Sequence, residues 1–445
     1  RIWADDRLMA ETPLMKGGDD IRSLKVDLRD AKTCTLEVLD GGDGRKGDHA
    51  DWIKTRFYYE DGKYPPTDVR AHSRQLGILT PPPGPKPRIN GARVYGVRPG
   101  HPVLWRLPVT GERPMELEAK GLPEGLAFDA ATQVLSGSVT RAGDYPITFV
   151  AMNAKGRDES VLTVKVGDRI SLTPAMGWNS WNCFSSDVSA EKVRAAAEAM
   201  LSSGLADHGW SYVNIDDYWT NKPESDDATL QGPARDANGD IVCNGRFPDM
   251  KGLVDDIHAK GLKVGIYSSP GTLTCGRCVG SYGHEAQDAK RYADWGFDYL
   301  KYDWCWYSEK AFGEGQWRWI HPYWIMGRAL RQQSRDILFS LCEYGCENVS
   351  AWGNLVHGQS WRTTGDVFDT WPSISMAIEK QRRLFPYSGP GAWNDPDMLC
   401  VGKMAWNGFQ GSRLAPNEQY THLSLWALVA SPLMIGCDMT KLDAF

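Results

Sequence analysis

From Gly167 onward the chain alternates short apolar runs with helical stretches, and that rhythm limits its fold more than any other feature. Eight runs read as strands: Met176–Trp178, Tyr212–Asp216, Lys263–Tyr267, Tyr299–Asp303, Leu338–Cys342, Trp361–Asp366, Ala392–Asp397 and Leu433–Gly436. One intervening helix is explicit, with Val193, Ala197, Met200 and Leu201 on a single stripe and Gly204 closing it. Strands separated by helices are βα units around a parallel sheet. Eight of them between residues 168 and 445 predict a (β/α)8 TIM barrel rather than an open doubly wound sheet. No GxGxxG turn follows any strand, so a dinucleotide fold has no support.

The chain in front of Gly167 shows no helical period. Ser23–Leu28 and Thr35–Leu39 alternate apolar with polar residues, as half-buried strands do. Pro81–Pro87 is a stiff, proline-rich linker. Beyond it, short strands such as Val94–Val97, Ile147–Val150 and Ser160–Val166 recur between turns, which predicts a small β-sandwich over 88–167. The organisation is therefore multidomain: all-β over 1–80, a linker over 81–87, all-β over 88–167, and a barrel over 168–445.

Composition narrows the function. With 50 Lys plus Arg against 56 Asp plus Glu, nothing electrostatic favours nucleic acid or an anionic membrane as partner. The most apolar stretch, Leu423–Gly436, is too short to span a bilayer. Of the 19 Trp, 16 lie beyond residue 177, a density that suits core packing and also recognition of flat faces such as sugar rings. Nine of the 10 Cys lie between Cys183 and Cys437, which implies disulfides of an oxidising compartment or buried thiols, the first being favoured.

The chemistry is written at the strand ends. Asp216 and Asp217, Asp303, Glu343, Asp366, and Asp395 and Asp397 stand at the ends of five different strands. In a barrel those ends converge on the face where active sites are built. One such carboxylate is a helix cap by default. So many together repel one another unless a cation, a proton or a polyhydroxylated ligand compensates. Metal-assisted hydrolysis lacks the expected His pairs, although a hard oxygen-bound ion stays open. Phosphoryl transfer lacks its Gly-rich loop with Lys-Ser/Thr. Glycoside hydrolysis needs two carboxyls across the scissile bond, with polar groups and aromatics to grip the ring. Lys301, Arg362, Trp178, Trp181, Trp219 and Trp304 offer these, so a carbohydrate substrate, with no cofactor and no metal, fits best.

At these residues the chain resembles a known family. Met176-Gly177-Trp178-Asn179-Ser180-Trp181, Ile215-Asp216-Asp217, Gly265-Ile266-Tyr267, Tyr299-Leu300-Lys301-Tyr302-Asp303, Cys342-Glu343, Trp361-Arg362 with Asp366, and Trp393-Asn394-Asp395-Pro396-Asp397-Met398 look, in that order, like the blocks of family 27 glycoside hydrolases, the α-galactosidases. The resemblance implies that Asp303 is the nucleophile of a retaining reaction and Asp366 the acid/base, about 5–5.5 Å apart. The acid must hold its proton at rest, so an enclosing pocket is expected round Asp366. It also implies that Asp216, Asp217 and Lys301 hold the O3/O4/O6 side of the sugar and that Glu343 and Arg362 hold O2. Trp181 would pack on the sugar, Tyr267 would stand beside the nucleophile, and Asp397 and Met398 would line the opposite wall. Lys301 and Asp303, two apart on one strand, share a face, so the ammonium either keeps Asp303 ionised or forms a structural ion pair. Cys275 and Cys305 match a disulfide pair beside the site; Cys278 adds a CxxC that no second pair completes.

Galactose is the expected sugar. Glu343 leaves little room for the acetamido group of an α-N-acetylgalactosaminide, and the Asp216-Asp217 pair suits a free 6-hydroxyl, unlike a β-L-arabinopyranoside. An isomaltosyl substrate stays open, as does a non-catalytic galactose-binding protein, although a lectin would need neither Asp303 nor Asp366. Tyr344-Gly345 departs from the pattern, standing where many relatives have Trp followed by a small residue or Pro, so the aglycone side is expected to differ.

In front, Asp40-Gly41-Gly42-Asp43-Gly44 with Asp48-His49-Ala50-Asp51-Trp52 looks like the C-terminal half of an NPCBM-type carbohydrate-binding module, a jelly roll. Its Asp-rich loop is either a Ca²⁺ site or a solvated turn. Gly121–Leu126 with Asp129, Gly137 and Gly143-Asp144-Tyr145 resembles an immunoglobulin-like spacer. The chain opens at Arg1 without an initiator Met, and Thr440–Asp443 begins a helical segment just before Phe445. A fragment of a longer, secreted or periplasmic protein is expected, lacking the family's last barrel helix and C-terminal β-domain.

Overall fold

A computed structural model describes residues 1–13, 15, 22–37, 39, 80–308 and 310–445. It divides into two units, Arg1–Gln75 and Leu76–Phe445. In the first, Ile2–Ala4 pairs antiparallel with Arg7–Ala10 and with Cys34–Leu36, burying Ile2 and Ala4. Ser23–Leu28, expected as a strand, joins no ladder among the described residues: alternation supplies a face but not a partner. The Asp40–Gly44 and Asp48–Trp52 segments lie outside the described residues.

The second unit begins with a β-sandwich. Val94–Val97, Gly156–Val166, Gly143–Asn153 and Glu116–Lys120 form one sheet; Pro102–Arg106, Val134–Ser138 and Leu126–Asp129 form the other. Inward-facing Val97, Val103, Leu135, Ile147, Phe149, Leu162 and Val164 make its core.

The barrel follows, its strands being β1 (Met176–Asn179), β2 (Tyr212–Asn214), β3 (Lys263–Ser268), β4 (Tyr299–Asp303), β5 (Leu338–Cys342), β6 (Ser360–Arg362), β7 (Trp393–Asp395) and β8 (Leu433–Ile435). They pair in parallel in chain order, and β8 returns to β1. A parallel bridge between Leu399 and Ile435, with Leu399 N donating to Met434 O at 2.7 Å, joins the segment after β7 to β8 and closes the ring. The longer helices between strands are α1 (Ala190–Ser202), α2 (Met250–His258), α3 (Glu285–Trp295), α4 (Gly315–Arg331), α5 (Trp371–Gln381) and α6 (Pro416–Leu428); a single helical turn, Trp181–Phe184, follows β1, and another, Val349–Trp352, lies between β5 and β6. In α1, Ser189 caps the N-terminus by accepting from Lys192 N, Val193, Ala197 and Met200 face the core, and Gly204 takes φ +81° where a left-handed residue must end it. No described helix is long and apolar enough to cross a membrane.

The sandwich docks on the N-terminal face of the barrel, away from the strand ends that carry the carboxylates. Arg98 Nε reaches Asp336 Oδ1 at 2.5 Å and His101 Nδ1 approaches the same oxygen at 3.0 Å, just ahead of β5. Lys263 Nζ, at the start of β3, donates to Tyr95 Oη at 3.1 Å.

Candidate active site

Each strand-end carboxylate has its own support. Lys301 points inward from β4, and its Nζ lies 2.8 Å from Asp216 Oδ2. Asn179, at the end of β1, donates to the same oxygen at 2.8 Å. Ser180 Oγ accepts from Asp216 N at 2.9 Å, fixing the turn after β2. Asp217 is also buried, accepting from Tyr218 N at 2.8 Å and from Gly276 N at 2.7 Å. A Cβ at Gly276 would fall 2.4 Å from Tyr218 Cε2, so only glycine lets that backbone approach. Burial lifts the Asp217 carboxyl to about 6 against those two N–H donors.

Asp303 lies between two phenols. Tyr267 Oη, from β3, donates to its Oδ2 at 3.2 Å; Tyr344 Oη, two residues past β5, donates to Oδ1 at 2.6 Å. Burial pushes the carboxyl above its ordinary range, while the Lys301 charge and the Tyr344 hydrogen bond pull it down. Lys301 thus does both things the spacing allowed: it forms an ion pair with Asp216 and supports the charge of Asp303. The Cys275–Cys305 disulfide forms alongside, with Tyr267 Oη 3.7 Å from Cys305 Sγ. Both sulfurs lie near an Asp303 oxygen, but bonded to each other they offer no thiolate to an ion. Cys278 is a free, buried thiol.

Across the mouth, Arg362 of β6 forks between two carboxylates, with Nη1 3.1 Å from Asp397 Oδ1 and Nη2 3.1 Å from Asp366 Oδ1. Burial opposes its charge, and Asp397 and Asp366 outweigh that. Asp397 adopts φ +88°, a left-handed conformation for a residue with a Cβ. It is held there by Val367 N on Oδ2 at 2.9 Å and by Trp426 Nε1 on its carbonyl at 2.7 Å. Met398 is buried with Ala175, Tyr299, Leu338 and Met434. Glu343 is wholly buried; Oε1 accepts from Gly345 N at 3.3 Å, and Oε2 has no protein partner. Burial pushes its carboxyl up to about 8.

Asp303, Asp216, Asp217, Lys301, Tyr267, Glu343, Arg362 and Asp397 are thus joined by direct contacts or buried at one end of the barrel, while Met398 packs in the barrel interior with Tyr299, Leu338 and Met434. Asp366 belongs to the same network but stands out in solvent, its side chain 65% exposed, because it lies just past the bend that follows β6. The enclosing pocket expected round it is not formed by the neighbouring side chains. Trp181 is half-buried and stacks on Tyr218, with centroids 6.4 Å apart.

Several sequence expectations fail here. Trp178 and Trp219 are core residues whose indole N–H groups bond to the carbonyls of Cys437 and Tyr267, whereas Trp304, stacked on Trp319 at 4.2 Å, is only half-buried. The cysteines form one disulfide and leave eight free thiols, five of them buried, so free thiols rather than disulfides account for most of them. Two residues went unread: Asn179, whose place at a strand end was the available signal, and the Tyr344 hydroxyl, visible in sequence only as a departure from a family pattern.

A family model described as alpha galactosidase A (Melibiase_2) matches residues 173–445. The chain belongs to that family. Ahead of the α-galactosidase-family barrel, an NPCBM/NEW2 domain model matches residues 1–58 and the Ig-domain model He_PIG matches 87–167. Alpha-galactosidase 2 of Arabidopsis thaliana is 43% identical over 277 residues, 62% of this chain and 63% of the relative. The chain spans about three fifths of the length of the curated relatives it matches first. Among solved structures, a Bacteroides fragilis protein crystallised as a candidate α-galactosidase/melibiase aligns with TM-score 0.74 at 38% identity, over 80% of this chain and 75% of that one. α-Galactosidase I of Mortierella vinacea aligns with TM-score 0.55 at 36% identity, over 62% and 69%.

Proposed function

We propose that this protein is a retaining exo-glycosidase that removes terminal α-D-galactosyl residues. The observation that carries the reading is Asp303: a buried carboxylate gripped on both oxygens by phenols, with a lysine on its own strand and a solvent-facing carboxyl, Asp366, across the same mouth. One Asp303 oxygen attacks the anomeric carbon while Asp366 gives its proton to the departing glycosidic oxygen. Water then attacks that carbon, Asp366 takes the water's proton, and the bond to Asp303 breaks, so configuration is retained.

The remaining groups suit a galactoside. Asp216, Asp217 and Lys301 meet the O3/O4/O6 side of the ring, and Arg362 and Glu343 meet O2. Glu343 Oε2, buried and without a protein partner, is a ready site for a sugar hydroxyl. Trp181 packs on the sugar, and Asp397 and Met398 form the far wall. In front of the barrel, residues 1–80 act as a jelly-roll carbohydrate-binding module, 81–87 as a linker and 88–167 as an immunoglobulin-like spacer. The disulfide suits a secreted or periplasmic protein.

Hydrolysis of an aryl α-D-galactoside tests this, with Asp303→Asn as control. Turnover in the wild type and none in the variant is expected. A folded wild-type protein that leaves the galactoside intact would sink the reading.

A further inference from the structure

We propose that Tyr344 is a positioning residue for Asp303, its hydroxyl fixing the carboxylate and keeping it in the anionic form that attack requires. The inference rests on the galactosidase reading and gives one of the two phenols on Asp303 a role of its own. The contact is short, 2.6 Å from Tyr344 Oη to Asp303 Oδ1, against 3.2 Å from Tyr267 Oη to Oδ2. Two donors on opposite oxygens stop the carboxylate from rotating, and the shorter bond is the stronger of the two.

The backbone is shaped to deliver that hydroxyl. Tyr344 takes φ +61° and Gly345 φ +76°, so the chain turns sharply straight after Glu343. A Cβ at Gly345 would meet Thr363 O at 2.2 Å, so the turn is locked against the β6 side. Tyr344 Oη also lies 3.8 Å from Cys275 Sγ, and the Arg362 guanidinium sits 5.9 Å from its ring centroid. The phenol is thereby wedged between the disulfide and the arginine, with its hydroxyl aimed at the reacting oxygens.

The groups that face Asp303 are otherwise accounted for. Lys301 comes from its own strand and Arg362 from β6, both cations; Asp216, past β2, opposes them. Cys342 and Glu343 of the β5 end and Tyr267 of β3 are neutral or protonated neighbours whose own ionisation burial suppresses. Burial holds the Tyr344 phenol far above its usual range, so it stays a donor throughout the working pH range.

The test is the pH profile of kcat/KM on an aryl α-D-galactoside for wild type, Tyr344→Phe and Tyr344→Trp. The acidic limb reports ionisation of the free enzyme's essential carboxylate. Loss of one charge-assisted hydrogen bond should move that limb up by about one pH unit in both variants, with about a tenfold loss of kcat/KM on its acid side. Lower activity with an unmoved limb would make Tyr344 a packing residue and overturn the proposal; so would restoration of the limb by Trp. A second measurement needs no turnover. The infrared band of the protonated Asp303 carboxyl, assigned by its loss in Asp303→Asn, should persist to higher pH in Tyr344→Phe. An identical titration in both proteins overturns the proposal. Absence of wild-type hydrolysis counts against the galactosidase reading alone.

Discussion

Replacing Lys301 by Met would expose how the site holds its charges. The two partners are nearly sealed from water, the Lys301 and Asp216 side chains being 16% and 3% exposed, with Nζ and Oδ2 2.8 Å apart. Methionine keeps the apolar stem and removes the ammonium, leaving Asp216 with the Asn179 amide and the Asp217 N–H as its donors. Breaking a buried pair from one side costs about 3–5 kcal/mol. For a barrel of this size that corresponds to a fall in Tm of roughly 6–10 °C. Tryptophan fluorescence is a suitable readout, because 16 of the 19 Trp lie beyond residue 177 and so report the barrel. The decisive comparison is the double variant Asp216→Asn/Lys301→Met, in which no charge is orphaned. It should melt above Lys301→Met alone, since replacing both members of a buried pair costs far less than removing one. Additive losses, or a single-variant loss below about 1 kcal/mol, would show that the pair behaves as an exposed one and would refute the argument. Activity should be low in both variants, because each removes the cation that supports Asp303.

Other expectations follow from neighbouring residues. Glu343, pushed up to about 8 by burial, holds a proton in the native state that the unfolded chain releases near its ordinary value, so its contribution lowers stability as pH rises through that window and levels off above about 8. Glu343→Gln, which cannot titrate, should therefore lose less stability between about pH 5 and pH 8, read as urea midpoints; identical slopes would mean a native carboxylate. Asp366→Ala should leave stability within about 0.5 kcal/mol, since the side chain is exposed. The same variant should slow a sugar leaving group by about 10²–10⁴ and an activated aryl one much less; equal losses would remove Asp366 from the acid role. Asp336→Ala removes the carboxylate that Arg98 and His101 share at the sandwich–barrel contact, so it should lower Tm and quicken proteolysis near residue 167 while kcat holds. A fall in kcat would mean that the N-terminal face communicates with the site.

Much of the barrel was legible because a parallel strand announces itself as a short apolar run and its C-terminal end marks one face. That rule alone gathered Asp216, Asp217, Asp303, Glu343, Asp366 and Asp397. It failed for the aromatics. Trp178 and Trp219 are as aromatic as Trp181, but residue type does not say whether a ring faces the mouth or the interior. Ser23–Leu28 shows the same limit, since strand formation needs a neighbour that local alternation cannot specify. The cysteines misled because burial and pairing both draw sulfur inward.

Element types, the order of the strands and the carboxylates at their ends are properties of local period and chain order, and the amino-acid sequence carries them unaided. Which donor meets which oxygen is settled in three dimensions. Tyr344 lies 41 residues from Asp303 in the chain and reaches it because β4 and β5 are neighbours and the chain turns left-handed after Glu343. Lys301 and Asp216, 85 residues apart, meet because their strands point inward at adjoining levels of one barrel. Burial, which raises Asp217, Asp303 and Glu343, arises only when the ring has closed, and no stretch of sequence carries it alone.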